Sequence, residues 1–175
     1  MTIPSVLIAC IGNIFLGDDG FGTEVARRLA ERSLPPHVIV KDFGIRSLDL
    51  TYALLDPYEL IILVDACQRG GSPGTVYLLE PDTAEPAPPG TAPARLETHG
   101  MNPASVLRVV QTLGGLKGRV LIVGCEPADI GSDEEGKLGL SDPVQAAIDE
   151  AIGLIESVIP RFIESEATET ALQTY

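Results

Sequence analysis

Two adjacent acids, Asp18 and Asp19, sit among glycines in the stretch Gly12-Asn-Ile-Phe-Leu-Gly-Asp-Asp-Gly-Phe-Gly22. The apolar run from Ser5 to Ile11 stops abruptly at Gly12, and Phe21, Val25 and Leu29 behind the turn keep helical spacing. The stretch reads as strand, glycine-rich turn and helix, the place where open α/β sheets put their ligands. Gly12 and Gly17 have the spacing that opens a phosphate-binding loop. The next two positions then require Lys and Ser or Thr, and here they are carboxylates. Negative charge at that point repels a phosphate and suits a cation. Two uses of the pair are open: one helix cap beside a solvated acid, or a cap at Asp18 and a ligand at Asp19.

Three more groups could do chemistry with them. Asp65 breaks the apolar run Leu60–Val64 at its end, where an unpaired carboxylate is costly to bury. It needs a cation, a helix N-terminus or solvent. His99 lies in a loop just before a helical pattern, and Glu126 follows the apolar run 119–124. Each has a plain alternative: Asp65 as a turn residue, His99 and Glu126 as surface. No G-x-S-x-G elbow is present, and no Lys or Arg cluster is placed to hold a phosphate. Cys10 falls within a strand, and Cys67 and Cys125 just after strands, with no activating motif beside them.

The elements that must position these groups follow from periodicity. Strands are expected at 5–11, 38–43, 60–66, 75–79 and 119–124. The first helix is expected over about Asp19 to Arg32. Others start near Ser47, at Pro103 with Asn102 as its cap, and at Pro143 with Asp142 as its cap. Residues 80–95 read as a loop. The connection from the third strand to the fourth is too short for a parallel crossover, so that strand runs antiparallel to its neighbour. The expected fold is three-layer α/β: a mostly parallel, twisted five-stranded sheet with one antiparallel strand and helices on both faces. A single domain over 1–163 is expected, ended or kinked near Pro160, with 164–175 as a frayed tail. Right-handed crossovers carry Asn13, Asp18, Asp19, Asp65, Glu126 and the loop with His99 to one sheet edge. Two carboxylates and an imidazole form a three-ligand set for a divalent ion such as Zn²⁺ or Ni²⁺, with positions left open for catalysis.

The whole chain narrows the partners. It has 175 residues and a net charge of −13, which disfavours nucleic acid and anionic lipid. No run is long enough to span a membrane, and the first residues lack a basic leader. Three unpatterned cysteines fit a reduced, cytoplasmic protein. A monomer is compatible with all of this.

Gly12–Gly22, then Val64-Asp65-Ala66, then Thr98-His99-Gly-Met, resemble the hydrogenase maturation proteases, as do Gly124-Cys-Glu-Pro127 and Leu140-Ser-Asp-Pro143. The resemblance runs in order from the first strand to the last helix. It implies an endopeptidase that removes the C-terminal extension from the nickel-loaded precursor of the [NiFe]-hydrogenase large subunit. It implies that Asp19, Asp65 and His99 are the metal-binding and catalytic residues. Substrate contacts are expected at Asn13, Asp42, Gly44, Arg46 and Glu126. The family's recognition segment matches Asp42-Phe-Gly-Ile-Arg46, with Phe43 where many members have a second glycine. Nickel is expected to arrive with the substrate, and another divalent ion to substitute in the isolated protein. The competing expectation is a non-catalytic, metal-dependent docking or chaperone module for hydrogenase assembly.

Overall fold

The structure, a computed structural model, describes residues 4–82, 103–131 and 135–172. His99 and Asn102 lie outside the described residues. Strand β1 (Val6–Ile11) leads through a 3-10 turn (Asp18–Gly20) into helix α1 (Phe21–Leu29). The helix proper is thus shorter than the spacing predicts, because the two acids belong to the tighter turn before it. Next come β2 (Val38–Gly44), α2 (Ser47–Leu54), β3 (Leu60–Ala66), β4 (Val76–Leu79), α3 (Pro103–Thr112), β5 (Arg119–Cys125) and α4 (Asp142–Leu172).

The sheet order is β2-β1-β3-β5-β4. The first four strands in that order run parallel, and β4 pairs antiparallel with β5. This is the expected sheet. The chain goes from β1 out to β2 and then returns past β1 to β3, so the direction of winding reverses between β1 and β3. The carboxyl ends of those two strands are therefore the natural crevice. Asp19 follows the first of them and Asp65 ends the second.

β1 is buried along its whole length, and β3 as far as Asp65. That is why both read as unbroken apolar runs and not as alternating ones. Val6, Ile8, Leu60, Ile62 and Val64 pack with α1 and α4 on one face. Leu7, Ala9, Ile11, Ile61 and Leu63 pack with α2 and α3 on the other. Each such Leu or Ile contributes roughly 1.5–3 kcal/mol by leaving water.

One boundary departs from expectation. Helix α4 passes through Pro160 and continues to Leu172, beyond residue 163 and into the segment expected to fray. Pro160 forfeits one main-chain donor, but Ile155, Val158, Ile159 and Phe162 around it are buried against the sheet and hold the helix in place. An Arg32–Glu156 ion pair at 2.9 Å adds a link from the end of α1.

Candidate active site at the carboxyl rim

Two glycines set the geometry of the rim. Gly12 has φ +149°, and a Cβ there would lie 2.0 Å from the Asp19 carbonyl oxygen. A Cβ on Gly22 would lie 2.1 Å from the Ile11 carbonyl oxygen and 2.4 Å from that of Val64. The missing side chains let α1 seat directly on β1 and β3 and let the Asp19 backbone close over the end of β1. That close approach brings the turn with Asp19 down to the end of β3, where Asp65 is.

Asp19 is half-buried and accepts a hydrogen bond from the Asn13 N–H at 2.9 Å. Asn13 in turn accepts from the Phe15 N–H at 3.0 Å, which closes its own small turn. Asn13 thus positions Asp19 through its backbone. Burial raises the Asp19 carboxyl above the ordinary range, with the Asn13 bond opposing. Asp65 is only 6% exposed and accepts from the Ala66 N–H at 2.9 Å. Burial, and then the neighbouring charge of Asp19, push its carboxyl well above the usual value. None of the ion pairs among the described residues involves either acid. Two desolvated carboxylates with no cationic partner among the described residues would each gain from a nearby positive charge. Among the described residues no third His, Cys, Asp or Glu completes a metal-binding group.

Asp18 is a different object from its neighbour. It is fully buried and receives four hydrogen bonds. The Ala128 N–H (2.8 Å), the Asp129 N–H (3.0 Å) and the Ser141 hydroxyl (2.9 Å) reach Oδ2, and the Ser141 N–H (2.7 Å) reaches Oδ1. Burial pushes this carboxyl up, but the bonds from Ser141, Asp129 and Ala128 outweigh it, and the net direction is down. It makes no side-chain cap to the turn or to α1. The expected helix cap is instead a long-range staple, tying the first turn to Ala128 and Asp129 and to Ser141 at the start of α4. Two backbone bridges, Leu16 with Lys137 and Gly17 with Ile130, reinforce that tie.

Glu126, expected at the rim as a substrate contact, is turned inward. It is 5% exposed and accepts from the N–H groups of Arg69 (2.8 Å) and Gly70 (3.1 Å) and from the Tyr77 hydroxyl (2.8 Å). Its burial works against the charged form, but these bonds, with a further one from Gly71, bring its carboxyl below the usual range. With its oxygens so engaged, it shapes the loop after β3. A single sequence shows nothing that separates a carboxylate offered to ligand from one closing a loop; Tyr77 and Ser141 were missed for the same reason.

Asp42, Gly44 and Arg46 form a hook beside Gly12. Asp42 accepts from Thr23 Oγ1 (3.2 Å) and from the Gly44 N–H (2.9 Å), and the Gly44 carbonyl accepts from the Gly12 N–H at 3.0 Å. Arg46 donates to the carbonyls of Phe43 (3.1 Å) and Asp42. The expected recognition segment is thus hydrogen-bonded to the turn that carries Asp19. The cysteines offer no nucleophile. Burial, ahead of the Asp65 charge, pushes the Cys67 thiol up to about 11, and burial takes Cys125 to about 12.

The fold and rim define a small three-layer α/β protein with a buried carboxylate pair at its switch point, and comparison with known proteins gives that class a family. The hydrogenase maturation protease (HycI) family model matches residues 23–158, a span that takes in Asp65 and His99 and begins just after Asp19. A putative hydrogenase maturation protease of Methanocaldococcus jannaschii is 32% identical over 156 residues, covering 89% of this chain and 96% of that protein. The hydrogenase expression/formation protein HupD of Rhodobacter capsulatus is 32% identical over 84% of this chain and 69% of its own length. Among solved structures, the hydrogenase 2 maturation peptidase of a Thaumarchaeota archaeon superposes with a TM-score of 0.66 at 30% identity, over 89% of this chain and 98% of that one. The hydrogenase maturating endopeptidase HybD of Escherichia coli has a TM-score of 0.69 at 22% identity, over 90% and 93%, and so shares the fold. The chain belongs to the hydrogenase maturation protease family. No helix among the described residues is long and apolar enough to cross a membrane.

Proposed function

We propose that this protein is the endopeptidase that removes the C-terminal extension of the nickel-loaded precursor of a [NiFe]-hydrogenase large subunit. In this reading Asp19, Asp65 and His99 together receive the nickel that the substrate carries. The observation that carries it is the Asp19–Asp65 pair: two carboxylates raised by burial, Asp65 further by the charge of Asp19, with no ion pair to either among the described residues. Hard oxygen donors with an imidazole suit a divalent ion of the nickel or zinc type. Helix α3 opens at Pro103, four residues after His99. It leads into β5 at that strand's amino end, so its own start lies toward the carboxyl rim.

A divalent ion held there supplies Lewis acidity toward the scissile carbonyl or toward a water. The protein's own contribution is orientation. Asn13 holds Asp19 through its N–H. The Ala66 N–H holds Asp65, so both carboxylates are set to face the ion. The Asp42–Arg46 hook borders the path along which the substrate chain lies.

The test uses nickel-loaded large-subunit precursor and intact mass of its C-terminus. The wild type shortens the precursor by the mass of the extension. Asp19→Asn and His99→Ala are expected to slow processing at least a hundredfold. Equal rates in either variant would remove it from the site. Co-elution of precursor and protein with no change of mass would favour a docking module over a protease.

A further inference from the structure

The outer edge of β2 is one of the two open edges of this sheet, the other being that of β4: among the described residues no strand pairs with it. The Val6 N–H donates to the His37 carbonyl at 2.9 Å, so alternation along the strand turns the main-chain groups of Val40, and the N–H of Asp42, away from β1. A groove flanks this edge on each face of the sheet. One, of about 720 Å³, lies on the α2 side and is lined by Lys41, Arg46, Asp49, Tyr52, Leu55 and Asp56. The other, of about 680 Å³, lies on the α1 side and is lined by Ala26, Leu29, Ala30, Leu34, Val38 and Val40. Successive side chains of an added strand point to opposite faces, so one extended peptide on this edge fills both grooves.

Continuity with the rim chooses the occupant. β2 ends in the Asp42–Gly44 turn, which is bonded to Gly12 and through it abuts Asp19. Gly44 is two strands from Asp65, roughly 10 Å, or about three extended residues. The extension lies on the carboxyl side of the scissile bond. Leaving the rim along this edge, it runs from the end of β2 toward its start, and therefore antiparallel to it. Resting on the protease reading above, we infer that the precursor's C-terminal extension docks as a sixth, antiparallel strand on β2.

The grooves also say which side chains it carries. On the α2 side Asp49 and Asp56 stand against Lys41 and Arg46, and Arg46 already serves the carbonyls of Phe43 and Asp42 and pairs with Asp49 at 3.7 Å, while Asp56 is in none of the ion pairs among the described residues. In a chain of net charge −13 this face draws Lys or Arg. The α1-side groove has an apolar floor, and the arginines at its rim are paired, Arg27 with Glu24 at 2.6 Å and Arg32 with Glu156 at 2.9 Å. It takes apolar side chains. The extension is thus expected to alternate basic and apolar residues over the reach of β2, about 20 Å or six to seven positions.

Two measurements test this. Hydrogen exchange read by mass spectrometry on the segment 38–44 should slow when full-length precursor is added, and should not slow with precursor that ends at the cleavage point. Val40→Pro removes an outward N–H without touching the ladder to β1, a substitution edge strands accept. It should raise KM for the precursor about tenfold with little change in kcat. The double variant Asp49→Lys, Asp56→Lys, away from the sheet ladder, should raise KM similarly and keep the wild-type melting temperature. If the wild type processes the precursor while exchange at 38–44 and both KM values stay unchanged, the docking strand is wrong and the protease reading stands. If the wild type leaves the precursor whole, the protease reading fails and takes this seat with it.

Discussion

Replacing Asp18 by Asn separates the two adjacent acids. The change is isosteric, so packing is kept and only the acceptor is altered. An amide can place its oxygen where Oδ2 receives Ala128, Asp129 and the Ser141 hydroxyl. Its NH₂ then faces the Ser141 N–H, which loses its partner at 2.7 Å and meets another donor. One charge-assisted bond is lost, about 1.5–3 kcal/mol, and three become neutral, each weaker by about 0.5–1 kcal/mol. The expected destabilisation is about 3–6 kcal/mol, a large fraction of the stability of a domain this size. The bonds hold Asp18 below the ordinary carboxylate range. Its contribution is therefore present above the unfolded value and lost only as pH falls through the lowered, folded one. The gap between wild type and variant should be full at neutral pH and close only in strong acid. Urea unfolding followed by circular dichroism at several pH values measures it. Asp19→Asn is the control, since it accepts one backbone bond and should cost about 1 kcal/mol or less while losing metal affinity. An Asp18→Asn protein within about 1 kcal/mol of wild type, or one of unchanged stability that no longer binds a divalent ion, would refute this account.

Other consequences can be checked alongside. In the metal-free protein, Asp65→Asn should raise the melting temperature by a few degrees at neutral pH, because the raised folded pKa means that ionised Asp65 costs stability above its unfolded value. That gain should vanish below about pH 4, where both forms are neutral, and should reverse when nickel or zinc is added and only the wild type is stabilised. Calorimetric titration with Ni²⁺ should show affinity falling on acidification, by about tenfold per pH unit for each proton displaced; a flat profile between neutral and mildly acidic pH would argue against His99 as a ligand. Gly22→Ala should destabilise by about 1–3 kcal/mol although helix propensity alone favours Ala by about 1, because the new Cβ would meet the carbonyls of Ile11 and Val64 at 2.1 and 2.4 Å. Melting curves decide the sign, and a drop in Ni²⁺ affinity would show that α1 had lifted Asp19 from the rim.

The sheet was legible because its signals are local. Apolar runs such as Leu60–Val64 can be nothing but buried strands at that length, and a connection of nine residues between β3 and β4 rules out a parallel crossover. The rim was legible as far as topology dictates it, since every parallel strand delivers its last residue to the same edge. Topology does not say which way a carboxylate turns once there. Asp18, Asp19, Asp65 and Glu126 look alike in a sequence, and the structure divides them by what they accept. Asp18 takes donors from residues 110 to 123 positions away. Glu126 takes donors from 49 to 57 positions away. Pairings at that separation leave no periodic trace. The same limit applies to α4, where Pro160 is a local stop signal overridden by buried neighbours on both sides.

The division has a mechanistic reason. A carboxylate satisfied by several main-chain donors is held low in pKa and rigid, and has nothing left for a ligand. One given a single donor and then desolvated is raised, and gains most from a cation. Asp18 and Glu126 are of the first kind, and Asp19 and Asp65 of the second. The first pair anchors Ala128, Asp129 and Ser141 on one side of the crevice and the 69–71 loop on the other. With both walls fixed, the second pair stays at close range despite its repulsion.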